Sequence, residues 1–184
     1  GPSDGEAGST PRPELRAVLQ RLAQHRQSDL AWRLYVGLRG DAGALDADAF
    51  SRFIKAVGST ARPSLAQRAH RIEADMRAAG MHDPLDEHQT CALMQANANA
   101  DNFAGAEEAY ALARDAAARA GRPLSSRVVK FFMIACGRHG QAERARTVYA
   151  DHLASGGTAS VPMLSAIMSA LARRGHVDAA ERTY

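Results

Sequence analysis

Two stretches near the end of the 184-residue sequence superimpose at a constant offset of 35 residues, and this repetition constrains the fold more than any other feature. Phe132 to Tyr149 aligns on Ile167 to Tyr184, with Gly140 on Gly175, Ala145 on Ala180 and Tyr149 on Tyr184. Each landmark has a physical task. Apolar residues three and four apart form the buried stripe of a first helix. The Gly supplies the left-handed backbone that ends that helix and turns the chain sharply. A small Ala follows where a second helix crosses the first, and the aromatic after it fills the gap to the next unit.

The same frame extends toward the N-terminus. Val18-Leu19, Ala31, Leu34 and Tyr35 form one unit, Phe53-Ile54, Ala69 and Ile72 a second, and Leu93-Met94, Phe103, Ala106 and Tyr110 a third. The position of the closing aromatic runs Tyr35, Glu73, Tyr110, Tyr149, Tyr184. Its spacing varies for visible reasons. Gly58 to Pro63 lengthens one turn, with Pro63 suited to the first position of the helix that follows. Ala109 to Ala120 lengthens one second helix before Gly121-Arg122-Pro123 stops it. The expected organisation is an N-terminal segment, 1–12, rich in Gly, Ser and Pro and mobile, then an array over 13–184. That array comprises about ten helices in five units: 12–46, 47–86, 87–125, 126–160 and 161–184. Gly1-Pro2-Ser3 reads as a trimmed or matured end, and the last unit stops inside its second helix without a polar cap, so the array is expected to continue.

Composition agrees with an all-α chain. Hydrophobic residues make up 46% and aromatics only 5%, so Ala, Leu, Val, Ile and Met must build the core. Small side chains let helices approach closely, whereas a β-sandwich leans on β-branched and aromatic residues. Lys55 and Lys130 are the only lysines among 23 basic residues, and the formal charge is only +3, so attraction to a polyanion requires local clustering. Cys91 and Cys136 lie in apolar helical stretches, which fits buried free thiols rather than a disulfide framework. No apolar run approaches the roughly 18 residues of a membrane span.

The unit at 126–160 resembles a pentatricopeptide repeat. Val129-Lys130-Phe131-Phe132-Met133-Ile134 looks like the start of that family's first helix, and Arg138-His139-Gly140-Gln141-Ala142-Glu143-Arg144-Ala145 looks like its turn and second-helix entry. The tetratricopeptide family is the nearest rival, but it places a Trp in the first helix, and Trp32 falls in a second. The resemblance implies a right-handed superhelical solenoid of antiparallel helix-turn-helix units whose first helices line a concave face. It further implies binding of RNA, single-stranded or structured, beside other ribonucleoprotein components in mitochondria or another organelle. No membrane partner and no cofactor follow from it.

Carried over by position, the early first-helix residue that meets a base is Arg16, Ser51, Cys91, Lys130 or Ser165. The closing residue is Asp46, Asp86, Ser125 or Ser160, and the sandwiching residue Asp48, His88, Arg127 or Pro162. Ser51 with Asp86 matches a usual recognition pair. Arg16, Cys91 and Lys130 are not the small polar residues of the family pattern, and Asp48 and Pro162 replace its aliphatic wedge. Arg16, Arg52, Lys55, Arg127, Lys130 and Arg173 are instead placed to track phosphates along the first helices.

No phosphate-cradling Gly-rich loop, His-Glu-x-x-His or paired Cys-x-x-Cys occurs, and no catalytic site is expected. Cys136 and His139 lack a second ligand pair. His82, Asp83, Asp86, Glu87 and His88 cluster in one loop, where Asp86 is placed to cap the next helix rather than to hold a metal. The alternative function is a protein scaffold, such as a structural subunit of a mitochondrial ribosome, without sequence-specific RNA readout. An enzyme would need a catalytic segment beyond residue 184.

Overall fold

The computed structural model describes residues 13–41, 44–60, 63–84 and 86–173. Among these, the chain forms nine α-helices and no strand: α1 (Pro13–Gln24), α2 (Ser28–Leu38), α3 (Ala47–Val57), α4 (Pro63–Ala78), α5 (Glu87–Asn99), α6 (Phe103–Arg119), α7 (Ser126–Arg138), α8 (Ala142–Ala154) and α9 (Val161–Arg173). Helices α3, α5, α7 and α9 begin at residues 47, 87, 126 and 161, the positions where the repeat frame starts its units. The tenth expected helix falls at 174–184, outside the described residues, as do the N-terminal segment 1–12, Gly175 and Tyr184. Pro63 does start α4, and the Ala-rich α6 reaches 17 residues.

Odd-numbered helices pack in sequence, α1 on α3, α3 on α5, α5 on α7 and α7 on α9. Each even-numbered helix lies against the odd helix before it and the odd helix after it. The core is therefore a sheet-like seam between two helical layers, not a central ball. Small residues sit where helices cross: Ala31, Ala69, Ala106 and Ala145 of the even helices are buried. Along the odd row, Ala56, Ala96, Ala135 and Ala170 recur at one register and are equally buried. Tyr35 closes the first gap by packing edge-on to Phe50 and Phe53 of α3, and its hydroxyl donates to Asp75 Oδ2 at 2.6 Å. Tyr110 closes the third by stacking on Phe132 of α7, centroids 4.1 Å apart. Val18, assigned to the first buried stripe by periodicity, is nearly half exposed; Leu15, Leu19 and Leu22 carry that stripe instead.

The turn inside a unit needs one left-handed residue. Gly140 fills it with φ +64°, and Arg26 and Asp101 adopt the same conformation at the matching positions. Each is followed by an amide that donates back into the helix: Gln27 to Leu22, Asn102 to Asn97 and Gln141 to Cys136. By contrast, Gly37 sits mid-surface in α2 with nothing within 4 Å of an added Cβ. Gly37→Ala is expected to stabilise the fold by about 0.5–1 kcal/mol, since it restricts only the unfolded chain. Urea denaturation gives the sign, and a destabilised variant would contradict an open site.

Candidate functional site

Charge is divided between the two layers. The odd helices carry Arg16, Arg21, Arg52, Lys55, Arg127, Lys130, Arg138 and Arg173 against Glu14, Asp48 and Glu87. That is eight cations and three carboxylates, a net +5. The even helices carry Arg33, Arg68, Arg71, Arg77, Arg114, Arg119, Arg144 and Arg146, balanced by Asp29, Glu73, Asp75, Glu107, Glu108, Asp115, Glu143 and Asp151. Most of those arginines are also paired locally, as in Arg68–Asp29 at 2.6 Å and Arg144–Glu107 at 2.7 Å. On the odd helices, Arg16 and Arg52 share the single carboxylate of Asp48, each at 2.8 Å. Lys55, Arg127, Lys130 and Arg173 have no ion-pair partner among the described residues.

Two depressions open on this layer. One, of about 480 Å³, is bounded by α1, α3 and α5 and includes Gln20, Gln24, Arg26, Arg52, Lys55 and Gln95 around a floor of Leu19 and Ala23. The other, of about 360 Å³, lies between α7 and α9 and includes Arg138, Pro162, Ser165, Ser169 and Arg173. Between them Asn99 binds both neighbours, donating to the Gly58 carbonyl at 2.6 Å and accepting from the Arg138 guanidinium.

The structure brings Arg52 and Lys55 together, and likewise Ser165 and Arg173. Arg127 lies against Cys91 and near Lys130, whose ammonium sits 5.8 Å from the Phe131 ring. His88 is exposed on α5 with its backbone amide bound to Asp86. Other expected contacts are corrected. Ser51 is buried and its hydroxyl donates to the Ala47 carbonyl of its own helix at 2.9 Å. Cys91 is a buried free thiol, as its apolar stretch implies, packed in one cluster with Val128 and Val129 of α7, and burial pushes it up to about 11. The closing positions are helix N-caps: Asp46 accepts from the Ala49 amide at 2.7 Å, Asp86 from His88 and Gln89, and Ser125 from Arg127. Ser160 ends the chain's approach to α9, and its buried hydroxyl has no partner among the described residues. Capping satisfies free first-turn amides and so explains why Asp and Ser recur there.

Glu73 stands where the other units have an aromatic, and a polar cluster takes the ring's place. Its carboxylate accepts from Arg77 at 2.5 Å and lies 3.4 Å from His70 Nδ1, while His70 Nε2 reaches Asn97 Oδ1 of α5 at 3.0 Å. Burial alone would push Glu73 upward, but the bonds from His70 and Arg77 outweigh it and hold the carboxyl below its usual range. The bond to Glu73 raises His70 above the ordinary imidazole value, against burial. His82, 3.7 Å from Glu73, is lowered by burial and by Arg77. The signs follow. His70 contributes stability below about pH 6.5 that is lost as pH rises, and Glu73 contributes stability above about pH 4.5 that is lost as pH falls. His82 acts oppositely to His70, costing stability as pH drops below about 6.5. His70→Gln is therefore expected to lower Tm more at pH 6 than at pH 8, and His82→Gln to raise it at pH 5.5 relative to pH 8. Equal losses at both pH values for His70→Gln would remove the charge-based account.

Cys136 is buried, with its thiol pushed up to about 12 by burial, and His139 Nδ1 lies 3.2 Å from Asp101. Among the described residues both thiols are free, and no three His, Cys, Asp or Glu side chains gather around a metal-sized space. No described helix is long and apolar enough to cross a membrane. No family of known proteins matches the sequence, and no curated protein matches it either.

Proposed function

We propose that the chain is part of a right-handed superhelical solenoid of pentatricopeptide-like units that binds RNA along the phosphate backbone through its odd-numbered helices. Support for the solenoid comes from the packing order, in which each odd helix meets the next and each even helix bridges two. The observation that carries the RNA reading is the partition of charge: net +5 on the odd helices and zero on the even ones. Unpaired cations on one face attract a polyanion without regard to base sequence. Modular base readout has little to work with, because Asp46, Asp86 and Ser125 cap helices and Ser51 and Cys91 are buried. The role is thus binding rather than catalysis, within a ribonucleoprotein in organellar gene expression, the setting that the resemblance supplies.

The test is binding of the chain to a random single-stranded RNA pool across a salt series. Affinity should fall steeply as salt rises. Arg127→Ala with Lys130→Ala should flatten the slope of log K against log salt by about 1.4, at about 0.7 per lost contact. Absence of binding at low salt would refute the reading. The scaffold alternative then stands, supported by the same consumed base-reading positions.

A further inference from the structure

The depression between α1, α3 and α5 combines features that a phosphate track alone does not need. Gln20 and Gln24 of α1, both exposed, and the half-buried Gln95 of α5 line it. Arg26, Arg52 and Lys55 also line it, and no Asp or Glu does. Arg52 is partly neutralised by Asp48, whereas Arg26 and Lys55 are not paired among the described residues. The apolar floor of Leu19 and Ala23 is flanked by these polar groups. Its volume of about 480 Å³ lies within the range of small-ligand pockets, about 300–1,000 Å³.

We propose that this cleft holds a single nucleotide, its base over the apolar floor against the glutamine carboxamides and its phosphate on Lys55 and Arg26. A carboxamide offers one acceptor and two donors, which matches the mixed edge of a nucleobase. An inorganic anion would use the cations and leave three carboxamides idle. Gln20, Gln24, Lys55 and Gln95 lie one or two turns further along the first helices than the positions through which the resemblance assigns base contacts, whereas Arg52 directly follows Ser51 and Arg26 lies in the turn after α1. The inference rests on the RNA reading for its usual source of nucleotide, a base lifted out of a strand; a free nucleotide shares the chemistry.

The experiment compares the chain with Gln20→Leu/Gln95→Leu, which keeps shape and charge, using two probes. These are a random-sequence single-stranded RNA and the four ribonucleoside 5′-monophosphates. With RNA, the double variant should bind about ten-fold more weakly with an unchanged salt slope, since base-edge contacts are lost and phosphate contacts kept. If the wild type binds RNA and the variant matches it within two-fold, the cleft proposal is overturned and the RNA reading survives. If the wild type binds no RNA, the RNA reading fails and the monophosphates decide the cleft. A shift of the glutamine side-chain amide signals of the folded wild type then supports a free-nucleotide site, and no shift at millimolar nucleotide overturns it.

Discussion

Phe132→Ala should cost the fold about 3–5 kcal/mol, the range for removing a fully buried aromatic. Phe132 is inaccessible to solvent, stacks on Tyr110 at 4.1 Å and on Phe103 at 5.9 Å, and has the Arg144 guanidinium 5.5 Å from its ring. It thus joins α6, α7 and α8 at one point, and Arg144 is itself held by Glu107. Against a typical total of about 5–15 kcal/mol, this loss leaves little margin. The neighbouring Phe131 is only partly buried, so Phe131→Ala should cost about 1 kcal/mol. In a linear array the damage stays near its origin, so hydrogen exchange should rise first in α6–α9 and least in α1–α3. Comparable midpoints for the two variants in urea would mean that the ring cluster does not couple the units.

The helix starts were legible because two markers recur throughout, a stripe at helical spacing and a small Ala at the crossing, while an aromatic closes the gap everywhere but at Glu73. Starts at 47, 87, 126 and 161 follow from these alone. The left-handed turn was legible only at Gly140, because Arg26 and Asp101 take the same conformation without the residue that advertises it. At position 73 the frame marks a gap but not its filling, and a buried Glu held by His70 and Arg77 is a tertiary solution that periodicity does not encode. Ser51 is buried although the resemblance puts it at a base-contact position, because a few tens of degrees of helix rotation separate an exposed position from a buried one, whereas the burial of Cys91 was legible in its apolar stretch. The partition of charge was hidden inside a net charge of +3, and it emerges only when the helices are sorted into two layers.

A further signal was present and is the basis of the second large effect. Ala56-Val57-Gly58, Ala96-Asn97-Ala98 and Ala135-Cys136-Gly137 each place two small residues two positions apart at the end of an odd helix. An added Cβ at Gly58 would lie 2.7 Å from Ala96 Cα, and one at Gly137 would lie 2.8 Å from the Ala166 carbonyl oxygen. Both obstacles are backbone, which cannot rotate aside as a side chain can, so α3 would have to back away from α5 and α7 from α9. Gly58→Ala should therefore cost about 2–3 kcal/mol and Gly137→Ala slightly less, although Ala is the better helix former in isolation. The same substitution at Gly37 meets nothing and should have the opposite sign. The separation also bears on the binding face, because Asn99 donates to the Gly58 carbonyl and accepts from Arg138, tying three odd helices together. A Gly58→Ala chain that remains folded should bind RNA more weakly at unchanged charge, since the α1–α3–α5 cleft widens. Retention of full stability would mean that the odd helices are not held in contact at this register.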